Sequence, residues 1–505
     1  MNIDKKYLYI IAFALIFLVV LVFYYSSLGL GFLYSDDFGL IKSALNSPSS
    51  YFLGNWMGER GVGGFYRPII VLSAKIDNLI WGINPFGYHL TNGMFHFINA
   101  FLVFLIAYFV LGNYLFALFS GALFAILPVN AEAVNWICCR GDVMATTFFL
   151  SAFYGYLIFV KKKAKWALFA SFALFVLALG SKETAVALPI MIAAYAYLNK
   201  NFTKQIGVII SYFSVLILYL ILRYFSLGSL VRAYEFSSRD MIMRLILGPI
   251  KTIQLIFLPF RQENLIAYLI IMLLLILSLV LLIIWVAKRY KPRSFYFFSL
   301  FWVLIALLPA STILPIGFDL RGSRMWYLPS VGVSWFLSYV IFIEIWKEKR
   351  AIKLMGIGLF LLFWLYSSFF LIKANENWVK ASRMSEGVKQ KVINIINEYP
   401  SGTRFYFCNM PDNYKGCSVG LPYLEEPFYE TGHYIRGYKG NYYFIDDLPK
   451  YEVRKGFKYF VYNDKQEQFN SSTYEFIRDN KISRLNDDQY SRNIFKAYMK
   501  RVFGK

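Results

Sequence analysis

From Tyr7 to Ser27 the chain carries no charged side chain. A helix needs about 20 mostly apolar residues to cross roughly 30 Å of hydrocarbon, so this stretch is long enough to span a bilayer. Lys5 and Lys6 precede it. It is too long for a signal-peptide core and lacks a small-x-small cleavage site, and it reads as an uncleaved anchor. The pattern recurs near 88–111, 114–127, 143–160, 166–180, 184–198, 205–225, 265–287, 294–314, 325–346 and 354–372. A shorter run, 246–260, is interrupted by Pro249 and Lys251 and ends at Pro259. Composition agrees: 58% of residues are apolar and 16% charged, whereas soluble chains reach about 50% and 25%. Too little polar surface remains to cover a water-soluble globule, and the apolar content excludes disorder. The expected fold class is an α-helical polytopic membrane protein with about 11 transmembrane helices.

Basic residues concentrate on the cytoplasmic side of membrane proteins. Three clusters set the orientation: Lys161 to Lys165, Lys288 to Arg293, and Lys347 to Lys353. All three fall on one side, together with the N-terminus, when 246–260 is an interfacial or re-entrant helix. The N-terminus is then cytoplasmic and the C-terminus external, in the inner (plasma) membrane of a bacterial cell. The net charge of +22 is largely this topology signal, and no nucleic-acid partner is expected. The membrane domain is 1–372, with a first external loop at 28–87.

The tail, 373–505, carries 22 Lys/Arg and 16 Asp/Glu, a net 22 − 16 = +6. It is long enough for a small domain. An amphipathic helix near 380–397 leads into strand-like stretches at Thr403–Asn409, Tyr442–Ile445 and Tyr459–Tyr462, so a small α/β external domain is expected. Cys408 and Cys417 both lie there, where an oxidising compartment permits a structural disulfide. Cys138 and Cys139 are adjacent, and neither pair has zinc-site spacing.

The most informative polar feature is Tyr34-Ser35-Asp36-Asp37-Phe38, just past the first span. Two adjacent carboxylates at a membrane mouth repel each other and sit where desolvation raises carboxylate pKa values. The arrangement suits a general base or a metal site. Helix N-capping explains the same residues equally well. The other external turns bear on the choice. They contain Arg67, then Glu132 with Arg140 and Asp142, then Lys182 with Glu183, then Asp319 with Arg321, Arg324 and Tyr327. Each turn alone reads as a snorkelling flank or a surface ion pair. Repeated cations on the external side run against the topology rule and call for another reason.

His89, Asn92, His96 and Asn99 fall at i, i+3, i+7 and i+10 and share one face of the second span. Such groups face a cavity or a partner helix rather than lipid. Interhelical hydrogen bonding explains His96 and Asn99 at least as well as a place in a site, while His89, nearer the external end, is the better site candidate. No HExxH, GxSxG or Walker loop is present, which removes cytosolic nucleotide chemistry.

A carboxylate base beside several cations at the external leaflet suits sugar transfer from a polyprenyl-phosphate-sugar. Asp36 or Asp37 would take the proton of an acceptor hydroxyl, and the cations would neutralise the departing phosphate. Direct displacement inverts the anomeric centre. A divalent metal on Asp36 and Asp37 stays open beside a metal-free base.

Several motifs resemble the GT-C membrane glycosyltransferases. They are Ser35-Asp36-Asp37, Tyr66-Arg67-Pro68, Asn84-Pro85-Phe86-Gly87-Tyr88-His89, His96, Leu127-Pro128-Val129 and Glu132-Ala133-Val134. Arg140-Gly141-Asp142, Ser181-Lys182-Glu183, Leu314-Pro315-Ile316-Gly317 and Tyr327-Leu328-Pro329-Ser330 continue the series. The nearest resemblance is to the O-mannosyltransferase branch that carries tetratricopeptide repeats, and it covers most of residues 30–330 in order. It implies a lipid-phosphate-sugar donor, a protein, lipid or glycan acceptor, and an acidic motif supplying the base and, in some members, a metal ligand. Asp36 and Asp37 inherit the base role. Arg67, His89, Glu132, Arg140, Lys182, Glu183, Arg321, Arg324 and Tyr327 inherit donor-phosphate or substrate binding. Two features depart from the family pattern: no tetratricopeptide repeats follow the spans, and Cys138-Cys139 replaces the small residues expected before Arg140. A transporter or flippase of lipid-linked sugars is the alternative, disfavoured because the charges sit at one interface rather than near the midplane. An assembly or sensor protein working through its tail is a third.

Overall fold

The computed structural model describes residues 5–33, 37, 40–41, 65–227, 256–257, 265–290, 294–311, 320 and 322–399, with strand segments between 404 and 472. Each apolar run carries a helix. They are α1 (Lys5–Tyr24), α3 (Pro85–Leu111), α4 (Tyr114–Ile126), α6 (Arg140–Lys162), α7 (Lys165–Leu179), α8 (Leu188–Leu198), α9 (Phe202–Leu227), α10 (Leu265–Tyr290), α11 (Ser294–Ser311), α12 (Tyr327–Tyr339) and α13 (Arg350–Asn397). Two more helices stand outside those runs, α2 (Pro68–Trp81) in the first loop and the short α5 (Ala131–Asn135).

Six segments of the described residues are long and apolar enough to cross a membrane, or seven if a pair bent by 53° is one span. Lys165–Leu179, Glu183–Leu198 and Ser294–Pro309 are shorter apolar helices. The expected count of about 11 took these as full spans. At 1.5 Å per residue, a 15-residue helix such as α7 rises only about 22 Å, short of the hydrocarbon thickness. Of the run 246–260, Ile256 and Phe257 are helical and the rest lies outside the described residues.

Local chemistry sets the helix ends. Asn84 caps α3, its side chain accepting from the Phe86 N–H with Pro85 at the first position. Gly112 closes α3 at φ +68°, where a side chain would be strained. Asn113 caps α4 in the same way, through the Phe116 N–H. Pro128, which has no N–H to continue α4, opens a 3₁₀ turn at Pro128–Asn130 before α5. This is the bent pair.

The described residues fall into two compact units. The first takes Met1–Leu30, Gly39–Arg261 and Met272–Val379, and holds the helical core. Trp302 and Trp335 are fully buried there, with ring centroids 4.9 Å apart. Their indole N–H groups donate to the Leu328 and Val103 carbonyls, which satisfies them where no water is at hand. Large apolar side chains on α7 and α9, such as Phe169 and Phe225, lie exposed, as a lipid-facing surface requires.

The second unit takes Gly31–Phe38, Gln262–Ile271 and Lys380–Lys505. Its strands β1 (Arg404–Cys408), β4 (Tyr434–Gly437), β5 (Lys458–Asn463) and β6 (Gln468–Ser472) form a sheet in the order β4-β1-β5-β6. β1 runs parallel to β4 and β5, and β6 is antiparallel to β5. Strands β2 (Asn413–Tyr414) and β3 (Cys417–Ser418) pair separately. The strand readings at 403–409 and 459–462 coincide with β1 and β5. Tyr442–Ile445 lies outside the described residues. So does the side chain of Cys408, on which the disulfide with Cys417 depends.

Candidate functional site

Among the described residues, five ion pairs on four carboxylates tie the turns around Arg67, Glu132–Asp142, Lys182–Glu183 and Arg324 to one another and to α2 and α9, and none of them forms within a single turn. Pro68 starts α2 at its N1 position, and the Ile69 N–H donates to the Gly180 carbonyl at 3.1 Å. A Cβ on Gly180 would stand 2.7 Å from Ile69 Cγ1, and one on Gly141 would stand 2.7 Å from Ile70 Cδ1. Those two glycines let the start of α2 lie directly on the turns at 140–142 and 180–183. Arg67, one residue before α2, is thereby brought to Glu183. Its Nη2 and Nε donate to Glu183 Oε2 at 2.7 and 3.2 Å. Arg223, near the end of α9, donates to Oε1 of the same carboxylate at 3.2 Å.

Burial raises the Glu183 carboxyl, but the two guanidiniums outweigh it and hold the pKa at about 2, so the group is charged at neutral pH. Arg67 responds in kind. Burial works against its charge, yet the Glu183 carboxylate raises its pKa above the usual arginine value.

The remaining pairs are more enclosed. Lys182 donates to Asp142. Arg140 meets Asp77 of α2 at 2.6 Å, donates through Nε to Asn92 Oδ1 at 3.0 Å and through Nη2 to the Tyr88 carbonyl at 3.0 Å. Its side chain has no exposed surface. The Arg324 N–H donates to Glu132 Oε2 at 2.9 Å, and its Nη1 reaches Oε1 at 3.5 Å and Cys139 Sγ at 3.4 Å. The same guanidinium lies 4.8 Å from the Trp136 ring centre. Arg67 and Arg324 keep 12% and 19% of their side-chain surface, against 0% for Arg140 and 4% for Lys182.

The turn bearing Glu132 and Trp136 is itself anchored. Ser27 donates to Asn135, Asn135 donates to Asn375 Oδ1 at 2.7 Å, and Asn375 donates to the Phe23 carbonyl at 2.7 Å. From α3, Asn92 donates to the Trp136 carbonyl at 3.2 Å.

The polar face of α3 is buried throughout. His96 Nδ1 and the Tyr327 hydroxyl share a hydrogen bond of 2.7 Å. Asn99 donates to Tyr327 Oη at 3.1 Å and to the Val143 carbonyl at 2.8 Å. Tyr327 is therefore committed to a seam between helices in the interior. His89 is buried, 2% exposed.

In the second unit, Asp37 is helical and fully buried, and the Leu33 N–H donates to its Oδ2 at 2.7 Å. Asp36 and Arg321 lie outside the described residues. Among the described residues no group of three His, Cys, Asp or Glu side chains converges as metal ligands.

Asp77 and Arg223 were not singled out in the sequence. Both are charged residues in apolar helices, Asp77 within α2 and Arg223 within a run read as a span. The high cost of a lone charge in such surroundings was the available signal that each has a partner.

No family model matches the chain. Over part of its length it is similar to protein O-mannosyltransferases. It is 32% identical to Protein O-mannosyl-transferase Tmtc1 of Drosophila melanogaster over 173 residues, which is 33% of this chain and 20% of the relative. It is 33% identical to Tmtc2 of the same organism over 180 residues, 33% and 19% of the two chains. The alignments thus span about a fifth of the length of these relatives. Among solved structures, the crystal structure of ArnT from Cupriavidus metallidurans bound to undecaprenyl phosphate aligns over 90% of this chain and 93% of that one. The TM-score is 0.41 and the identity 10%, too low to establish a shared fold.

Proposed function

We propose that this integral membrane protein is a GT-C glycosyltransferase. It moves a single sugar, a mannose-like hexose or another, from a polyprenyl-phosphate-sugar to a hydroxyl of a protein, lipid or glycan acceptor on the external face. The local similarity to protein O-mannosyltransferases carries this reading. The paired charges gathered on turns of the first unit support it. Asp36 or Asp37 takes the acceptor proton while the acceptor oxygen attacks the anomeric carbon. The bond from that carbon to the phosphate oxygen breaks, and the configuration inverts. Charge grows on the leaving phosphate, where pre-set cations act best. Of the cations named, Arg67 and Arg324 keep exposed surface and take this role. Arg140 and Lys182 are sealed in their ion pairs and hold the turns in place.

The decisive experiment is transfer in proteoliposomes with a panel of polyprenyl-phosphate sugars, comparing wild type with Asp36→Asn and Asp37→Asn. Loss of the base lowers turnover about 10²–10⁴-fold. Full turnover in both variants rejects the base. Passage of intact lipid-linked sugar across the bilayer without transfer rejects the enzyme in favour of a flippase.

A further inference from the structure

The 25-residue span Ser323–Lys347 carries Arg324 at its start, and its other end meets a second set of charges. There Glu348 accepts from the Tyr290 hydroxyl at 2.8 Å and from Arg289 Nη2 at 3.4 Å. These bonds tie the end of α10 to the link between α12 and α13, and merge two basic segments 59 positions apart into one patch. Its exposed cations are Lys288, Arg289, Lys347, Lys349 and Arg350. Glu344 engages Lys347 and Glu348 engages Arg289. Lys288, Lys349 and Arg350 make no ion pair among the described residues. Basic residues on one side of a membrane need only topology, and Lys288 and Arg289 suit the C-terminal end of α10. The start of α13 has the opposite polarity. Arg350 opens that helix, Lys353 follows three residues later, and the first turn has no acidic side chain. The helix dipole repels cations there, so an added anion relieves the repulsion. The patch is also amphipathic. Trp285 and Trp346 are 46% and 37% exposed, and such aromatics sit at headgroup level. Trp285 packs edge-on to Tyr290 with ring centres 5.3 Å apart. Lys353 Nζ lies 3.6 Å from the Trp346 ring centre. From this level the exposed apolar residues Leu281 and Ile284 on α10, and Met355 and Leu359 on α13, continue along the spans.

We infer that this patch binds an anionic membrane phospholipid. The phosphate sits among Lys288, Lys349 and Arg350, and the acyl chains lie along the apolar faces of α10 and α13. A soluble anion would use the charges alone, whereas a phospholipid uses the charges, the aromatic level and the apolar faces together. A zwitterionic phospholipid brings its own cation to the phosphate and is held less tightly. The site stands at the opposite end of the span from Arg324, and it does not depend on the glycosyl-transfer reading.

The test is native mass spectrometry of the full chain in neutral detergent, titrated with dioleoyl phosphatidylglycerol or dioleoyl phosphatidylcholine. Wild type holds its tightest phosphatidylglycerol at least tenfold more strongly than phosphatidylcholine. Each basic residue near an anionic headgroup contributes about fivefold in affinity. Lys288→Gln therefore weakens that phosphatidylglycerol about fivefold, and Lys349→Gln/Arg350→Gln about thirtyfold. The substitutions lie on different helices, so one remains informative should the other fail to fold. Lys162→Gln/Lys165→Gln removes two exposed cations from another basic turn and leaves the tightest lipid unchanged. Equal weakening by that control assigns the binding to general surface charge and overturns the site. So does wild-type affinity in the Lys288 and Lys349/Arg350 variants, or equal retention of the two lipids by wild type. Displacement of phosphatidylglycerol by inorganic phosphate at equal concentration assigns the patch to free phosphate and also overturns it.

Discussion

Asp77 of α2 and Arg140 of α6 meet at 2.6 Å with the guanidinium wholly enclosed. Removing one partner strands a buried charge, which costs about 3–5 kcal/mol, whereas replacing both by apolar residues of similar size costs far less. Asp77→Asn and Arg140→Met should each lower the melting temperature in detergent sharply. The double variant Asp77→Leu/Arg140→Met should recover much of the loss. A double variant as unstable as the sum of the singles would show that the pair does not act as a unit.

Glu132 holds Arg324 by its backbone N–H and by its guanidinium. Glu132→Ala leaves Arg324 over Trp136 without its carboxylate and removes the acceptor from a part-buried N–H. Glu132→Gln keeps an acceptor for that N–H. If Arg324 serves the departing phosphate, Glu132→Ala should lower kcat by about tenfold to a hundredfold, the loss of one or two charge-assisted hydrogen bonds. Glu132→Gln should retain most of it. Equal losses in the two variants would leave the N–H contact without a role.

The Glu183 carboxyl titrates at about 2 in the folded chain against an ordinary 4.5. A depressed carboxyl adds stability that is complete above the unfolded pKa and disappears as pH falls through the folded one. The melting-temperature gap between wild type and Glu183→Gln should therefore be constant from about pH 6 to pH 8 and narrow from about pH 4.5 downward. A gap that changes between pH 6 and pH 8 would mean that another group sets it.

Gly332 lets α12 lie against α11. A Cβ there would stand 2.6 Å from the Ser299 carbonyl oxygen and 2.9 Å from Val303 Cγ2. The first obstacle is backbone and cannot swing aside. Gly332→Ala should cost about 1–3 kcal/mol through overpacking. Gly358→Ala, with nothing within 4 Å of the added Cβ, should be neutral or stabilising through helix propensity. Similar melting temperatures for the two would refute the close approach.

The helices were legible in the sequence because hydrocarbon tolerates no unpaired backbone polar group, so a long apolar run must become a helix. The end of α4 at Ile126 falls within one residue of the run that stops at 127, while α3 starts at Pro85, three residues before the run read from 88. The number of full spans was not legible, because apolarity marks α7 and α8 as membrane-compatible while their length decides whether they cross.

The charged residues divide the same way. The sequence identified Arg67, Arg140, Lys182 and Arg324 among the external cations in need of a reason, since they run against the topology rule. Which partner each one takes was decided by tertiary structure alone. Arg67 lies 116 positions from Glu183, and Arg324 lies 192 from Glu132. Distances of that order are set by how α2 lies on Gly141 and Gly180 and by how the turn at Pro128–Trp136 folds back against the 3₁₀ turn at Ser323–Trp326. Periodicity records what one helix must bury. It carries no information about which charge waits on the other side.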